Sequence, residues 1–446
     1  MISGSIPAKA GTHGGNGPRP SPGWWDFEIA RPYSLPAGPR SFLFLQGPQS
    51  FFFERVARAL IERGHRVGRI NLNLGDRLFW RLPAIDFRGR FTDWSGFVAR
   101  LFEERGVTDL VLHGDQRPYH LAAADVARER GIRVAVTDLG YLRPGWLTLE
   151  ADGMTSRSRF PRDPEAIRAL ADNFPEPDLG LRADAPFRLL AACDIAYNTA
   201  ATLGRPLYPH YRRHGIYHPF AEYAGWVGNA ARRLLTRRTA QAAKARLAAA
   251  PGSYFLFPLQ LATDFQLRAH SPFADAREAL RTVLRSFADS GVERRLAIVG
   301  HPLDEGLINW RRQLRGCDRT LFFEGGVTDA LLASAAGVVT VNSTVGLTAL
   351  CHGIPVKTLG AAIYDVAGLT HAGDLAGFWR DPRPPDPDLA AVLLRALIGA
   401  TQIKGGYHAR DAQARALPAF VERLEQGFDN LSPIPDSCFR GHNDPI

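Results

Sequence analysis

The order of apolar and polar positions predicts strands that alternate with helices over two long parts of the chain. The first part opens with the compact apolar run SFLFLQG (41–47), which indicates a buried strand ended by a Gly-Pro turn. A segment with apolar residues at helical spacing follows, and Gly64 ends it. The alternation continues to RVAVTDLG (133–140), a pattern typical of βαβ units in a doubly wound parallel sheet.

A second alternating series begins at YFLFPLQ (254–260) and runs to PVKTLG (355–360). Residues 160–250, between the two series, favour helix and show no clear strand. We therefore predict an α/β fold with two facing Rossmann-like domains and a cleft between them. The predicted parts are a leader (1–40), an N-terminal domain (41–160), a helical basic linker (161–250), a C-terminal domain (251–375) and C-terminal helices with a tail (376–446).

Composition changes this picture at the N-terminus and excludes several classes of protein. Residues 1–40 hold seven Gly and seven Pro, which predicts disorder, although Trp24 and Trp25 offer docking points. No apolar run reaches the roughly 18 residues that a membrane span needs. The N-terminus also lacks the apolar core of a signal peptide. We therefore expect a soluble protein on the cytoplasmic side.

The cysteines are scattered and show no CxxC spacing, so neither a disulfide framework nor a zinc site is predicted. We expect buried, reduced thiols, because free cysteine behaves mostly as a small apolar residue. The four positions are Cys193, Cys317, Cys351 and Cys438.

The positive charge is concentrated in the predicted linker. The whole chain has a net charge of +9, and residues 205–246 hold nine Lys or Arg against the single acid Glu222. Such a block favours an anionic partner, which can be a lipid surface, a nucleic acid or an acidic polymer. A solvated helix face that is basic without binding anything is the other interpretation.

Two turns of the N-terminal domain carry candidate chemistry, because ligands of such sheets bind beyond the carboxyl ends of the strands. The first turn holds Gln46 and Gly47, and the glycine would let a ligand approach the backbone closely. The second, HGDQRPYH (113–120), suits ion pairing and substrate binding better than a metal, since its spacing matches no zinc motif. A purely structural turn is the alternative for both. The candidate residues of the second turn are Asp115, Arg117 and His120.

A third turn, TDLGYLRPGWLTLE (137–150), places Asp138 near a strand end and Arg143 five residues later. A carboxylate in that position can act as a nucleophile or as a base. A guanidinium beside it can bind an anionic group through two parallel hydrogen bonds. A structural salt bridge between the two side chains is the other interpretation.

The fourth turn lies in the C-terminal domain, where Asn342, Ser343 and Thr344 stand at a strand-to-helix junction. The free N–H groups of a helix N-terminus bind anions, although helix capping alone also explains Ser or Thr there. HPLDEG (301–306) follows an earlier strand of the same domain and adds His301. Together the two turns indicate a bound nucleotide monophosphate or diphosphate.

Six segments in one order resemble the bacterial capsule polysaccharide biosynthesis/export family. Its relevant members are retaining β-Kdo glycosyltransferases, which start the Kdo linker of group 2 capsules on a phosphatidylglycerol lipid. The resemblance covers roughly residues 41–375. The segments are FLQGPQSFFFERVARALIERGHRVGRINLNLGDRLFW, GDQRPYH, GYLRPGWLTLE, FPLQLATDFQL, HPLDEG and NSTVGLTALCHGIPVKTLG.

The resemblance implies a GT-B fold, CMP-Kdo as the donor and a carboxylate near GYLRP that attacks the anomeric carbon. Retention by double displacement needs such a nucleophile and a covalent sugar–enzyme intermediate. Neither a metal nor a cofactor is expected, since cationic side chains or helix dipoles can neutralise the single phosphate of CMP. The residues expected to hold CMP are His301, Pro302, Asn342, Ser343, Thr344, Gly346 and Lys357.

Two positions depart from the pattern of the family. Leu139 stands where the family commonly has an acid before the Gly of GYLRP, so Asp138 is the remaining carboxylate. Gly300 stands where the family often has a basic residue. We predict Asp138 as the nucleophile, with Asp115 second. The residues expected to hold the donor's carboxylate are Arg117, His120 and Arg143, and those expected to line the cleft are Gln46 and Gly47.

These expectations describe a cytoplasmic transferase, peripheral on the inner membrane, that moves Kdo from CMP-Kdo to an anionic glycerolipid. Residues 205–246 would meet the membrane, and other capsule assembly and export proteins would be further partners. One alternative is the same fold with a different nucleotide sugar. Another is a non-catalytic protein that binds glycolipid and hands it to the exporter. Nucleic acid is not expected, because the basic block lacks a recognised binding module.

Overall fold

The computed structural model describes residues 38–180, 186–304, 306–317 and 319–428, without the side chains of 231–233. Predictions for Trp24, Trp25 and Cys438 lie outside the described residues. Arg40, assigned to the leader above, is buried and forms an ion pair with Asp109 at 3.4 Å. The packed body of the protein therefore already includes Arg40.

The N-terminal sheet combines a parallel part with two antiparallel strands at one edge. Its strands are β1 (Ser41–Phe44), β2 (Arg66–Asn71), β3 (Ile85–Asp86), β4 (Asp109–His113), β5 (Arg133–Leu139), β6 (Trp146–Ala151) and, from the end of the chain, β12 (Gln402–Lys404). They lie in the order β12-β6-β5-β4-β1-β2-β3. Strands β1 to β5 are parallel, whereas β6 is antiparallel to β5 and β12 is antiparallel to β6.

The C-terminal sheet is entirely parallel and repeats the strand order of the parallel part of the first sheet. Its strands are β7 (Tyr254–Pro258), β8 (Arg295–Val299), β9 (Thr320–Phe323), β10 (Gly337–Thr340) and β11 (Val356–Thr358). Their order is β11-β10-β7-β8-β9. In both sheets the order reverses beside the first strand, which places a ligand crevice between β1 and β4 and another between β7 and β10. The predicted pair of Rossmann-like domains of a GT-B-like fold is confirmed.

Helices cover both sheets and fill the linker, and most begin at a side-chain cap or at a proline in the first turn. In α1 the buried residues recur at helical spacing and face β1, as in an amphipathic surface helix. The helices are α1 (Phe52–Glu62), α2 (Leu74–Leu78), α3 (Trp94–Arg105), α4 (Pro118–Glu129), α5 (Pro164–Ala171), α6 (Phe187–Leu203), α7 (Pro219–Ala248), α8 (Phe265–Ala269), α9 (Ala276–Asp289), α10 (Trp310–Gln313), α11 (Asp329–Ala333), α12 (Thr344–Cys351), α13 (Leu375–Arg380), α14 (Pro387–Thr401) and α15 (Arg410–Gln426).

The end of the chain returns to the N-terminal domain. Strand β12 extends the N-terminal sheet, and α15 packs on α1, where the Phe52 and Phe420 rings meet edge to face at 5.1 Å. Aromatic pairs prefer this geometry and stabilise a core beyond the area they bury. The C-terminal helices therefore complete the core of the first domain.

The prediction that the cysteines are buried is wrong for the three that the structure describes. Cys351 is exposed, while Cys193 and Cys317 are half-buried. The two half-buried thiols lie on α6 and just after α10, away from the middle of either sheet. In the described part of the chain, no helix is both long and apolar enough to cross a membrane.

Candidate active site

Strand β5 and the hairpin that follows it place the predicted nucleophile at the end of the N-terminal sheet. Asp138 pairs with Thr148 of β6, and its Oδ1 accepts a hydrogen bond from the Leu139 N–H at 2.7 Å. Burial raises the pKa of Asp138, and the hydrogen bond from Leu139 opposes that rise. Leu139 itself is 45% exposed, as expected for a neighbour on the opposite face of a strand.

The turn between β4 and α4 reaches the same place. Gly114 has a φ of 72°, and a methyl group added to it would lie 3.8 Å from Asp138 Oδ2. Glycine adopts this backbone conformation without steric cost, which lets the turn pass close to the carboxylate. The structure therefore brings Asp138 and the turn 113–120 together at the carboxyl ends of β4 and β5, and we call this group of side chains the pocket.

The histidines of this pocket are neutral acceptors rather than cations. His120 is buried, and its Nδ1 lies 2.7 Å from the Gly114 carbonyl oxygen, so Nδ1 must hold the proton that it donates. Its Nε2 is then an acceptor, and it has no hydrogen-bond partner among the described residues. Burial, followed by the charge of Arg117, holds the pKa of both His113 and His120 well below its usual value.

Arg117 is the cation at the centre of this group. Its charge lowers the pKa of His113 and His120 and opposes the rise that burial causes in the pKa of Asp138. Within the described residues its side chain forms neither a hydrogen bond nor an ion pair, which leaves its donors available to an anion. A carboxylate would suit the guanidinium of Arg117, and its role in holding the donor's carboxylate stays a prediction. A carboxylate does not suit the neutral His120 Nε2, which would instead accept a hydrogen bond from a hydroxyl group.

His214 joins the pocket from the linker, and the sequence analysis missed it. Burial and then Arg117 hold the pKa of His214 well below its usual value, and His120 also acts on it. Its ring lies 5.8 Å from the Phe265 ring of the C-terminal domain. Both domains and the linker therefore meet at this residue. Its sequence context, YRRHGIYH (211–218), shows only a basic loop and no recognisable motif.

Two residues predicted to line the cleft instead support it from behind. Gln46 is buried and donates hydrogen bonds to Asp76 at 3.2 Å and to the Tyr197 hydroxyl at 3.0 Å. A methyl group on Gly47 would lie 2.7 Å from the Phe53 ring, so packing alone explains this glycine. Since Tyr197 belongs to α6, the network fixes the linker against the N-terminal sheet.

Asp115 organises the neighbouring turn. Its Oδ2 accepts a hydrogen bond from the Met154 N–H at 3.1 Å, and burial raises the pKa of this carboxyl. Two residues of that turn that are not glycine, Asp152 and Thr155, have φ of 65° and 59°. Such conformations are costly for β-branched residues and persist only where surrounding contacts enforce them. We infer that Asp115 positions this turn, while Asp138 is the more accessible carboxylate.

The turn at residues 152–155 connects the two domains across the cleft. The Thr155 hydroxyl donates to Gln266 Oε1 at 2.9 Å, and Asn342 Nδ2 donates to the Gln266 carbonyl oxygen at 3.0 Å. Asn342 is also held by Gln260, which follows β7, at 2.8 Å. The predicted nucleotide turn thus lies at the β7/β10 crevice, and Gln266 links it to the N-terminal domain.

Local packing accounts for much of the turn 342–346. Ser343 caps α12, since its Oγ accepts from the Val345 N–H at 3.3 Å. A methyl group on Gly346 would overlap the Tyr364 hydroxyl, which donates to the Ser343 carbonyl oxygen. Thr344, the first residue of α12, is half-buried. The capping interpretation therefore holds whether or not a phosphate also binds there.

We expect Gly346→Ala to destabilise the protein by roughly 1–3 kcal/mol, because the added methyl group must displace Tyr364. Gly228→Ala is the matched control, since no atom lies within 4 Å of its added methyl group in α7. That change should be neutral or stabilising by up to about 1 kcal/mol. Denaturant unfolding of both variants checks the prediction, and equal midpoints would contradict it.

The remaining predicted nucleotide residues lie apart from one another. His301 follows β8, and its Nδ1 accepts from the Leu303 N–H at 3.1 Å, while Pro302 packs on Gly326. Lys357 donates to the His371 carbonyl oxygen at 3.0 Å, and no hydrogen bond between the described residues joins it to the turn 342–346. The set that was predicted as one group is therefore spread along the edge of the C-terminal sheet.

The last predicted residue, Arg143, is exposed in the β5–β6 hairpin. Its Nε donates to the Gly140 carbonyl oxygen at 3.2 Å, and its charge lowers the pKa of Asp138. Arg143 thus lies near the carboxylate without forming an ion pair with it within the described residues. In that same part of the chain, no group of three His, Cys, Asp or Glu side chains gathers as a metal site. Metal-free chemistry remains a prediction.

Glu150 lies on β6, after the β5–β6 hairpin. Its carboxyl group is buried, and burial is the main cause that raises its pKa to about 7. The Tyr141 hydroxyl donates to its Oε1 at 2.8 Å. The ordinary pKa of a glutamate is 4.5, so between this pH and a pH of about 7 the folded protein holds one proton more than the unfolded chain. The free energy of unfolding therefore falls as the pH rises through this window, by about 3 kcal/mol, and levels off above it.

We expect Glu150→Gln to remove this pH dependence. The stability of the variant relative to the wild type should be higher at pH 8 than at pH 5, since the wild type must bury a charge at pH 8. Denaturant unfolding at both pH values measures this difference, with the exposed Glu165→Gln as the control. A relative stability that does not change with pH would contradict the role of Glu150.

The mixed N-terminal sheet and the parallel C-terminal sheet, with titratable side chains at their carboxyl ends, define a GT-B-like protein. A family model described as capsule polysaccharide biosynthesis protein matches residues 108–408. The chain therefore belongs to the capsule polysaccharide biosynthesis family, and the family predicted from the sequence is confirmed.

Several known proteins are similar to this chain. Capsule polysaccharide modification protein LipB of Neisseria meningitidis serogroup A is 31% identical over 390 residues, which cover 83% of this chain and 92% of LipB. Capsule polysaccharide export protein KpsS of Escherichia coli is 32% identical over 380 residues, which cover 83% of this chain and 97% of KpsS. The solved structure of Thermosulfurimonas dismutans KpsC, a beta Kdo 2,7 transferase, has a TM-score of 0.41 at 14% identity and covers 87% of this chain and all of that one.

Proposed function

We propose that this protein is a retaining glycosyltransferase that moves Kdo from CMP-Kdo to a phosphatidylglycerol-type lipid in capsule biosynthesis. The observation that supports it most is the proximity of Asp138 to the turn that carries Arg117, at the carboxyl ends of β4 and β5, where the charge of Arg117 acts on the carboxyl. A nucleophilic carboxylate and a free guanidinium are the two groups that transfer of an acidic sugar requires. Membership of a capsule biosynthesis family supports the same reaction.

The chemistry of the donor matches the chemistry of the pocket. Kdo carries a carboxylate on its anomeric carbon, and a guanidinium binds a carboxylate through two parallel hydrogen bonds. Arg117 is half-buried, so this interaction is stronger than it would be in open water. The unprotonated Nε2 of His120 would accept a hydrogen bond from a sugar hydroxyl. The proposed donor therefore uses both the cation and the neutral imidazole.

The reaction proceeds by two displacements at the anomeric carbon. In the first, an Asp138 oxygen forms a bond to this carbon, and the bond to the phosphate oxygen breaks, so that CMP leaves with the electron pair. In the second, the acceptor hydroxyl oxygen displaces Asp138, and the hydroxyl proton passes to a neutral imidazole of the pocket. Two inversions restore the starting configuration, as in retaining glycosidases.

The C-terminal domain would bind the CMP part without a metal or a cofactor. The N-terminus of α12 offers backbone N–H groups at the β7/β10 crevice, and such groups neutralise a phosphate. Asn342 and Ser343 keep this end of the helix in place, and His301 would contact the nucleotide from the next strand. Lys357 would act on the phosphate only after a movement away from its bond to His371.

The acceptor would be reached from the inner face of the cytoplasmic membrane, with the protein bound peripherally. Residues 205–246 carry a local excess of eight positive charges, which suits an anionic leaflet. Other capsule assembly and export proteins would receive the product. The names of the similar proteins LipB and KpsS, which refer to capsule modification and export, support this assignment.

Release of CMP from candidate donors tests the proposal. We expect the protein to release CMP from CMP-Kdo, faster when phosphatidylglycerol is present, and not to cleave UDP-linked or GDP-linked sugars. Binding of CMP-Kdo without turnover, in calorimetry with intact donor, would favour the non-catalytic assembly partner. Turnover of a different nucleotide sugar would replace the proposed donor.

A further inference from the structure

Helix α7 has 30 residues and connects the linker to the C-terminal domain. Near its start the Tyr223 hydroxyl donates to Asp194 of α6 at 2.6 Å. Near its end Lys244 donates to the Gly326 carbonyl oxygen at 2.7 Å. In between, Asn229 donates to the Asp304 carbonyl oxygen at 2.7 Å. One side of α7 is therefore fixed to the turn that contains His301.

The side of α7 that faces away from Asn229 and Lys244 exposes large apolar residues in a regular pattern. Phe220, Val227 and Leu234 recur every seven residues, which places them along one line of the helix, with Leu235 beside it. The exposed fractions are 73% for Val227, 75% for Leu234 and 86% for Leu235. These three residues form what we call the outer apolar face. Helices of water-soluble proteins normally turn such a face toward a core.

The charge around this face indicates what covers it. Arg237 and Arg238 are exposed just beyond Leu235, within the segment 205–246 that has a local charge of +8. A second copy of the chain would bring an equal positive charge to the same face and be repelled. An anionic lipid leaflet has the opposite charge and also offers an apolar interior for the exposed side chains. Helices with an apolar face and a basic flank lie in membrane interfaces.

We propose that α7 lies in the surface of an anionic bilayer and inserts Val227, Leu234 and Leu235 among the lipids. The inference deepens the proposed function, on which it rests, because it names the surface that brings the enzyme to a lipid acceptor. The basic residues of the linker attract the protein to the anionic membrane, and the apolar side chains of α7 then insert into it. Because α7 is hydrogen-bonded to the carbonyl oxygens of Leu303 and Asp304, docking also fixes the orientation of the C-terminal domain on the membrane.

Sedimentation of the full chain with vesicles, without any sugar donor, tests this proposal. Vesicles of phosphatidylcholine with phosphatidylglycerol are compared with phosphatidylcholine alone, at low salt and at 0.5 M salt, which screens charges beyond about 4 Å. We expect the wild type to prefer the anionic vesicles and to keep part of its binding at high salt. L234S/L235S should lower the partition coefficient about tenfold and remove the salt-resistant part.

Two further variants separate insertion from charge and from a general loss of fold. R237Q/R238Q should reduce the preference for phosphatidylglycerol and leave the salt-resistant binding. I61S changes an exposed apolar residue on α1 and should bind like the wild type. Unchanged vesicle binding by L234S/L235S overturns the proposal. If vesicle binding of this variant is unchanged but its molar mass in light scattering differs from that of the wild type, the outer apolar face belongs to a dimer interface, and the proposal is overturned.

The same variant distinguishes a failure of this inference from a failure of the proposed function. CMP release in detergent solution with a short-chain phosphatidylglycerol needs no bilayer. We expect L234S/L235S to keep this activity and to lose it on vesicles. Equal activity of the variant and the wild type on vesicles overturns the inserted helix, while the proposed reaction stands.

Discussion

Asp138→Asn is expected to lower the rate of CMP release from CMP-Kdo on the order of 10³-fold or more, with donor affinity little changed. The amide cannot form the glycosyl–enzyme bond, and removal of a nucleophile leaves only the contribution of binding and orientation. Since Asn has nearly the shape of Asp, the bond that Oδ1 accepts from Leu139 can persist. Steady-state CMP release and calorimetric binding of CMP-Kdo measure the two effects.

The control for this prediction is Asp125→Asn, on the exposed side of α4, where the carboxylate pairs with Arg128. It should behave like the wild type, because surface ion pairs contribute little. Asp115→Asn should reduce activity less than Asp138→Asn and lower stability as well, since Asp115 positions Met154. Near-normal turnover of Asp138→Asn, or a larger loss in Asp115→Asn with an intact fold, would transfer the role of nucleophile to another residue.

Arg117→Gln is expected to weaken CMP-Kdo binding roughly 10- to 100-fold and to leave CMP binding unchanged within about twofold. The guanidinium is proposed to bind the sugar carboxylate, and hydrogen bonds between charged groups contribute about 1.5–3 kcal/mol. CMP lacks that carboxylate and would bind in the other domain. Calorimetry with the two ligands therefore separates sugar recognition from nucleotide recognition.

Arg130→Gln provides the matched control, because Arg130 ends the same helix on the exposed side, 13 residues away. It should bind both ligands like the wild type. An equal loss of CMP and CMP-Kdo affinity in Arg117→Gln would place Arg117 at the phosphate. Unchanged affinity for both would remove it from the site.

The sequence predicted the architecture well because most strands of the two series are compact apolar runs between turn residues, although the two-residue β3 is not. It missed β12, since Gln402–Lys404 is too short to show an alternating pattern. It also treated residues 146–150 as part of a turn, whereas they open β6, which returns antiparallel to β5. Pairing between distant segments decides both strands, and local pattern does not reveal such pairing.

The candidate site was predictable only in part, for a related reason. Polar residues at strand ends identified Asp138 and Arg117, because the fold class fixes where strands end. The roles of the other site residues depend on burial and packing, which the sequence does not show. Gly47 and Gly346 are explained by the aromatic rings that adjoin them, and His214 enters from a linker loop that no motif marks. Protonation likewise depends on burial, which lowers the pKa of His120 and leaves its ring neutral, whereas the sequence analysis expected this residue to hold a carboxylate.

The most direct measurement of the central claim is the structure of the lipid product. The protein is incubated with CMP-Kdo and a fluorescent phosphatidylglycerol, and the lipid is analysed by mass spectrometry and NMR. The account predicts phosphatidylglycerol that carries Kdo in the anomeric configuration of the donor, and none with Asp138→Asn. The absence of a Kdo-bearing lipid with verified donor, or a product of inverted configuration, would contradict it.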